Sequence, residues 1–223
     1  MIPVDVYLIG GLPRSGKTTA AKSLAMRFGI PHIQLDIFYD WTRAILTQGR
    51  MSHRNFDAVS LQARADRRGT DGSARELVAC EYENEAELIL TGALGATTTS
   101  IRDEGAVVID GSHVDFRWVE RFRSEGWSVA TVFFGYRDPL IIDRLLAEAD
   151  SHRSWVGTWH RDLGADEVTM RNFFAGQVRR GEQLAIECSM RGLPFVERSP
   201  SSPASHPRAA AIAALGLEGN SAS

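Results

Sequence analysis

"VDVYLIGGLPRSGKTTAAKSLA", residues 4–25, runs from a short apolar stretch through a glycine turn into a helix-spaced segment. Gly11, Gly16, Lys17 and Thr18 satisfy the pattern G-x-x-x-x-G-K-[ST]. The apolar run predicts a buried strand over about 4–9, closed by Gly10 and Gly11. "AAKSLAMRF" predicts a helix over about 17–28, stopped by Gly29. Strand, glycine turn and helix in that order are the context in which this pattern binds phosphate. Glycines let the backbone wrap phosphate oxygens, and the amides at the following helix N-terminus supply positive potential. Lys17 reaches the β- and γ-phosphates of a nucleoside triphosphate, and the Thr18 hydroxyl is suited to Mg²⁺. The expected nucleotide-binding set is Gly11, Pro13, Arg14, Ser15, Gly16, Lys17, Thr18 and Thr19. Only two of the 25 basic residues are lysine, Lys17 and Lys22, so a lysine in the motif is not a product of lysine-rich composition.

Four further runs predict strands: "HIQLD" at 32–36, "AVVID" at 106–110, "SVATVFFG" at 128–135 and "LPFVER" near 193–198. Helices are expected at "FRWVERFRSEG", closed by Gly126, from "DPLIIDRLLAEAD", and over about 166–190. Another, over about 208–215, would close the chain. Strands separated by helices imply a parallel sheet covered on both faces. The expectation is one α/β domain over 1–216, a three-layer α/β/α phosphate-loop fold around five parallel strands. The inserts at about 40–100, mostly helical, and at about 151–166 break the alternation. They are the expected acceptor-binding insert and lid, with 217–223 a disordered tail.

Net charge is −3, which gives no general attraction to nucleic acid or anionic membrane. Hydrophobic residues make up 43% and charged residues 24%, ordinary values for a globular chain. No run approaches membrane-spanning length, and no signal peptide is recognisable. Cys80 and Cys188 have no metal or redox spacing, so reduced thiols and a cytoplasmic location are expected.

A phosphate loop needs an acceptor, and "IQLDIFYDW", 33–41, supplies a candidate. Asp36 falls at the C-terminal end of the second predicted strand, the ligand edge of a parallel sheet. A carboxylate there can take the proton of a hydroxyl that attacks the γ-phosphate. With Gly11–Thr19 and Asp36 read together, the chain resembles the phosphate-loop kinases that include shikimate, gluconate, uridine and adenylate kinases. "LDIFYD" resembles the strand-end Asp-x-Phe-Tyr of uridine-kinase-type enzymes, and "PFVE" resembles 2-phosphoglycerate-kinase-like proteins.

"AVVIDGSH" ends in Asp110, placed for a carboxylate near Mg²⁺; "IDGSH" is similar to the Asp/Glu-Gly of small-molecule kinases. The resemblance implies ATP as donor, Mg²⁺ with Thr18 and Asp110, and an arginine-bearing lid that closes over the phosphates. Arg144, Arg153 and Arg161 are its candidates, with Arg137 behind them. Lys17, Asp36, Arg144 and Arg153 form the expected catalytic set. Asp36, Tyr39, Arg43, His113 and Arg161 form the expected acceptor set. Arg50, His53 and Arg54 extend a basic cluster at the start of the insert. Phe38, Trp41, Asp115, Trp155 and Trp159 are open between acceptor contact and plain packing or surface roles. "RSPSSPASHP", 198–207, sits where the resemblance places the nucleotide base, or is a disordered tail. The expected activity is phosphoryl transfer to a small-molecule hydroxyl by a monomer or homodimer. The alternatives are a nucleotide-dependent switch and a kinase of nucleic acid or of a sugar nucleotide.

Overall fold

In the computed structural model the described residues are 4–37, 89–151, 167–203 and 205–218. Five strands form one sheet: β1 (Val6–Gly11), β2 (His32–Gln34), β3 (Val107–Asp110), β4 (Val129–Gly135) and β5 (Phe195–Glu197). Their order is β2-β3-β1-β4-β5, and every pair is parallel. The described helices are α1 (Lys17–Phe28), α2 (89–104), α3 (Phe116–Ser124), α4 (Ile141–Ser151), α5 (Glu167–Met190) and α6 (His206–Ala214).

The alternation of β1 assigns its two faces. Val6 and Leu8 join Val107, Ile109 and Phe133 beneath α2, α3 and Cys188 of α5. Tyr7 and Ile9 join Val108, Val132 and Phe134 beneath α1 and α6, through Ala20, Leu24 and Ala211. Both faces are therefore apolar and covered, which is why the strands read as continuous apolar runs. A third cluster joins Leu12 and Tyr136 to Ile141 and Leu145 of α4 and to Met170, Phe174 and Val178 of α5. It fastens α4 and α5 over the C-terminal edge of the sheet. The α6 helix reaches the phosphate loop itself. A Cβ on Gly16, whose φ is +103°, would stand 2.4 Å from Cγ of Pro207, and the Arg27 guanidinium donates to the Leu217 carbonyl at 3.0 Å.

Several boundaries differ from the sequence expectation. β1 runs on through Gly10 and Gly11, because these residues pair with Phe133 and Phe134 of β4. β2 stops at Gln34, and 35–37 turn helical, so Asp36 lies two residues past the strand rather than at its end. α6 starts at His206 with Pro207 in its first turn, a position where a missing N–H costs nothing. Leu217, expected in a disordered tail, is 5% exposed and packed with the α1–α6 core. Cys188 is fully buried, and burial pushes its thiol up to about 12, as expected of an inert packed cysteine. Cys80 lies outside the described residues. No helix among the described residues is long and apolar enough to cross a membrane.

Gly181 lies in the middle of α5, where glycine is normally unfavourable. A Cβ there would stand 2.0 Å from the carbonyl oxygen of Tyr136 and 3.2 Å from Leu12. The helix can touch the end of β4 only because that atom is missing. Gly181→Ala should therefore destabilise the protein by about 1–3 kcal/mol through overpacking. Helix propensity alone would have gained about 1 kcal/mol. Urea unfolding measures the sign, and a midpoint equal to or above the parent's would show that α5 shifts freely.

Candidate active site

The five strands are parallel, so all end at one edge, where the segments that follow them meet. The loop after β1 spans Leu12 to Gly16. The Ser15 hydroxyl donates to the Leu12 carbonyl at 2.7 Å, and the Lys17 ammonium donates to the same oxygen at 2.5 Å. Gly16 caps α1 with no side-chain hydrogen bond, and no acidic residue occupies the first turn. The first amides of α1 are thus not spoken for by a side-chain cap, as an anion site requires. Lys17 is 6% exposed. Burial lowers its pKa to about 8 against the opposing pull of Asp36 and Asp110, and Arg180 adds to the fall.

Asp110 is fully buried at the end of β3. Its Oδ2 accepts from the Thr18 hydroxyl at 2.7 Å, and its Oδ1 lies 2.6 Å from Nε2 of His32. The hydroxyl and carboxylate oxygens of Thr18 and Asp110 meet beside the phosphate loop, a hard-oxygen donor set that suits Mg²⁺ shared with phosphates. No cluster of three or more His, Cys, Asp or Glu suited to a metal exists among the described residues.

Asp36 is exposed, in the turn after β2, and is the foremost charged group acting on Lys17. Two carboxylates therefore act on the Lys17 charge: Asp110, bonded to Thr18 and His32, and Asp36 on the β2 side. His113 follows β3 and is half-buried. Burial, Lys17 and Arg180 together pull its pKa down to about 4, so its imidazole is neutral at pH 7.

Other expected residues fall as follows. Gly11 closes β1, Pro13 and Arg14 lie half-buried in the phosphate loop, and Thr19 is exposed in the first turn of α1. Arg144, expected over the transferring group, bonds Glu148 at 3.0 Å and the carbonyls of Pro200 and Ser202, in the loop after β5, at 2.8 Å each. Arg137 pairs with Glu197 at the surface. Asp115 caps α3 through the Arg117 amide at 2.9 Å and pairs with that arginine. The loop after β5 is tied down by Arg144, so 199–203 is not a loose tail. Phe38, Tyr39, Trp41, Arg43, Arg50, His53, Arg54, Arg153, Trp155, Trp159 and Arg161 lie outside the described residues.

No protein-family model matches the sequence, and no curated protein is significantly similar to it. Solved structures similar to the chain include the following three. A sugar kinase from Janibacter sp. HTCC2649 is 16% identical over 96% of both chains, with a TM-score of 0.48. A gluconokinase from Sinorhizobium meliloti 1021 is 14% identical over 95% of this chain and 91% of its own, with a TM-score of 0.42. Shikimate kinase from Bacteroides thetaiotaomicron is 16% identical over 96% and 98%, with a TM-score of 0.43. All three are named as kinases, the class that Gly11–Thr19 and Asp36 resemble. At such identities and TM-scores the likeness is too distant to assign an activity, which has to be read from the chain's own residues.

Sequence reasoning missed three members of the site. His32 opens β2, and no local pattern marks its reach to Asp110. Arg180 acts on Lys17 and His113 from α5. Its signal was Gly181, a mid-helix glycine that marks close approach to the sheet. Arg198 directly follows β5, so the strand-end rule that found Asp36 would have found it too.

Proposed function

We propose that the protein is a kinase that moves the γ-phosphoryl group of ATP to a hydroxyl of a small molecule. The observation that carries this reading is that two carboxylates act on the Lys17 charge, Asp110 accepting from Thr18 and Asp36 standing in the turn after β2. A second carboxylate, distinct from the one that accepts from Thr18, is what an attacking hydroxyl needs.

The sheet order supports a division of labour. The phosphate loop follows the central strand β1. Asp36 lies toward the β2 edge and the 199–203 loop toward the β5 edge. An acceptor on the β2 side and a nucleoside on the β5 side place the γ-phosphate between them, over Lys17. The acceptor oxygen forms a bond to phosphorus as the bond to the ADP oxygen breaks, and the hydroxyl proton passes to the Asp36 carboxylate. Lys17 and Arg180 offset the charge on the transferring group. Thr18 and Asp110 would hold Mg²⁺, which when bound neutralises phosphate charge. Neutral His113 can orient a polar group without adding charge.

The test is a coupled ADP-release screen over sugars, nucleosides and hydroxy acids, with mass spectrometry of the products. The expected result is ADP release that depends on one acceptor class and yields its phosphate ester. ATP hydrolysis without any phosphorylated acceptor, accelerated by a partner protein, would replace this reading with a nucleotide switch.

A further inference from the structure

Arg14 holds φ +57° within the phosphate loop, a left-handed conformation that non-glycine residues seldom take. Its guanidinium donates to the Glu148 carbonyl at 2.8 Å, and its own carbonyl accepts from Arg198. Glu148 lies in the last turns of α4. Its Oε1 accepts from Arg198 at 2.5 Å and from Arg144 at 3.0 Å. Arg144 then reaches the Pro200 and Ser202 carbonyls, both at 2.8 Å. The Glu148 carboxylate thereby reaches the phosphate loop through Arg198 and the loop after β5 through Arg144.

Local helix chemistry does not explain Glu148. An acid near a helix C-terminus opposes the macrodipole, and Arg before Glu at i, i+4 is the weaker order of that pair. Burial alone would raise its carboxyl, yet the hydrogen bonds and charges of Arg198 and Arg144 outweigh that and hold it below the ordinary value. The side chains of Arg198, Arg144 and Glu148 are only 12%, 30% and 31% exposed, so solvent screens the cluster less than a surface pair.

We infer that Glu148 is a positioning residue that fixes the spacing between the phosphate loop and the 199–203 loop, and so the grip on the nucleoside end of the donor. The inference rests on the proposed nucleotide donor. The phosphate loop keeps its own bonds from Ser15 and Lys17 to Leu12 when Glu148 is removed. The 199–203 loop has short contacts among Ser199, Ser201 and Ser202 and a bond from the His206 amide to the Pro203 carbonyl, and Arg144 supplies its tie to α4.

Calorimetric titration with MgATP and with Mg-tripolyphosphate separates these two ends of the ligand. Glu148→Ala should weaken MgATP about tenfold, as expected when charged hydrogen bonds are lost, and change tripolyphosphate affinity less than about twofold. Glu148→Gln, which can still accept a hydrogen bond, should fall between parent and Glu148→Ala for MgATP. It decides the matter if thermal melting shows Glu148→Ala to be unfolded. Equal losses for both ligands, or no loss of MgATP affinity, would overturn the positioning role. A parent protein that binds neither ligand would instead remove the nucleotide reading on which it stands.

Discussion

Lys17→Ala is expected to lower phosphoryl transfer by about a thousandfold, the scale of removing a preorganised group from a developing charge. The fold should survive the change. The Leu12 carbonyl that Lys17 occupies keeps the Ser15 hydroxyl as a donor. Removing a buried ammonium also relieves its desolvation, so the urea midpoint should stay level or rise. The pH dependence has a definite sign. Lys17 falls from an ordinary value of 10.5 to about 8 in the ligand-free protein. Between those values the unfolded chain holds more protons at this site than the native one, so native stability should rise with pH across that window. ATP capture should move the other way. kcat/KM for ATP should decline above about pH 8, as the free enzyme loses the charge that meets the phosphates. A pH profile of Lys17→Ala should lack that alkaline limb. Unchanged turnover in this variant would remove the phosphate loop from the reaction.

Asp36→Asn is the second large effect. Loss of a general base should cost at least about a hundredfold in kcat on the true acceptor, with ATP affinity nearly unchanged. The same substitution carries a separate electrostatic signature. Asp36 is the leading group that holds the Lys17 pKa up against burial. Without its charge the alkaline limb of kcat/KM should move below its position in the parent. Full turnover with an unmoved limb would show that Asp36 neither accepts the proton nor faces Lys17.

The parts legible in the sequence were those whose physics is local. Val107–Asp110 and Val129–Gly135 are branched and aromatic runs that need burial on two faces, and they form β3 and β4. The phosphate loop was legible because its glycines, lysine and threonine act within a few residues of each other. Asp36 was singled out by its place after a strand, and β2 ends two residues before it. The remainder depends on which distant segments the sheet edge brings together. His32 meets Asp110 from 78 residues away, and Arg198 meets Glu148 from 50. Neither spacing has a period or motif to betray it. Arg144 also has partners that its position before the insert did not reveal, carbonyls of a loop 56 and 58 residues later.

The contact between Gly16 and Pro207 has a consequence for how the protein is made. Synthesis proceeds from the N-terminus, and domains assemble as their parts emerge. The phosphate loop emerges with the first strand, but its outer cover, α6, emerges only after all five strands. A ribosome-bound chain that ends before residue 206 carries the whole motif and still lacks its neighbour, so the growing polypeptide should gain its grip on nucleotide late and in one step.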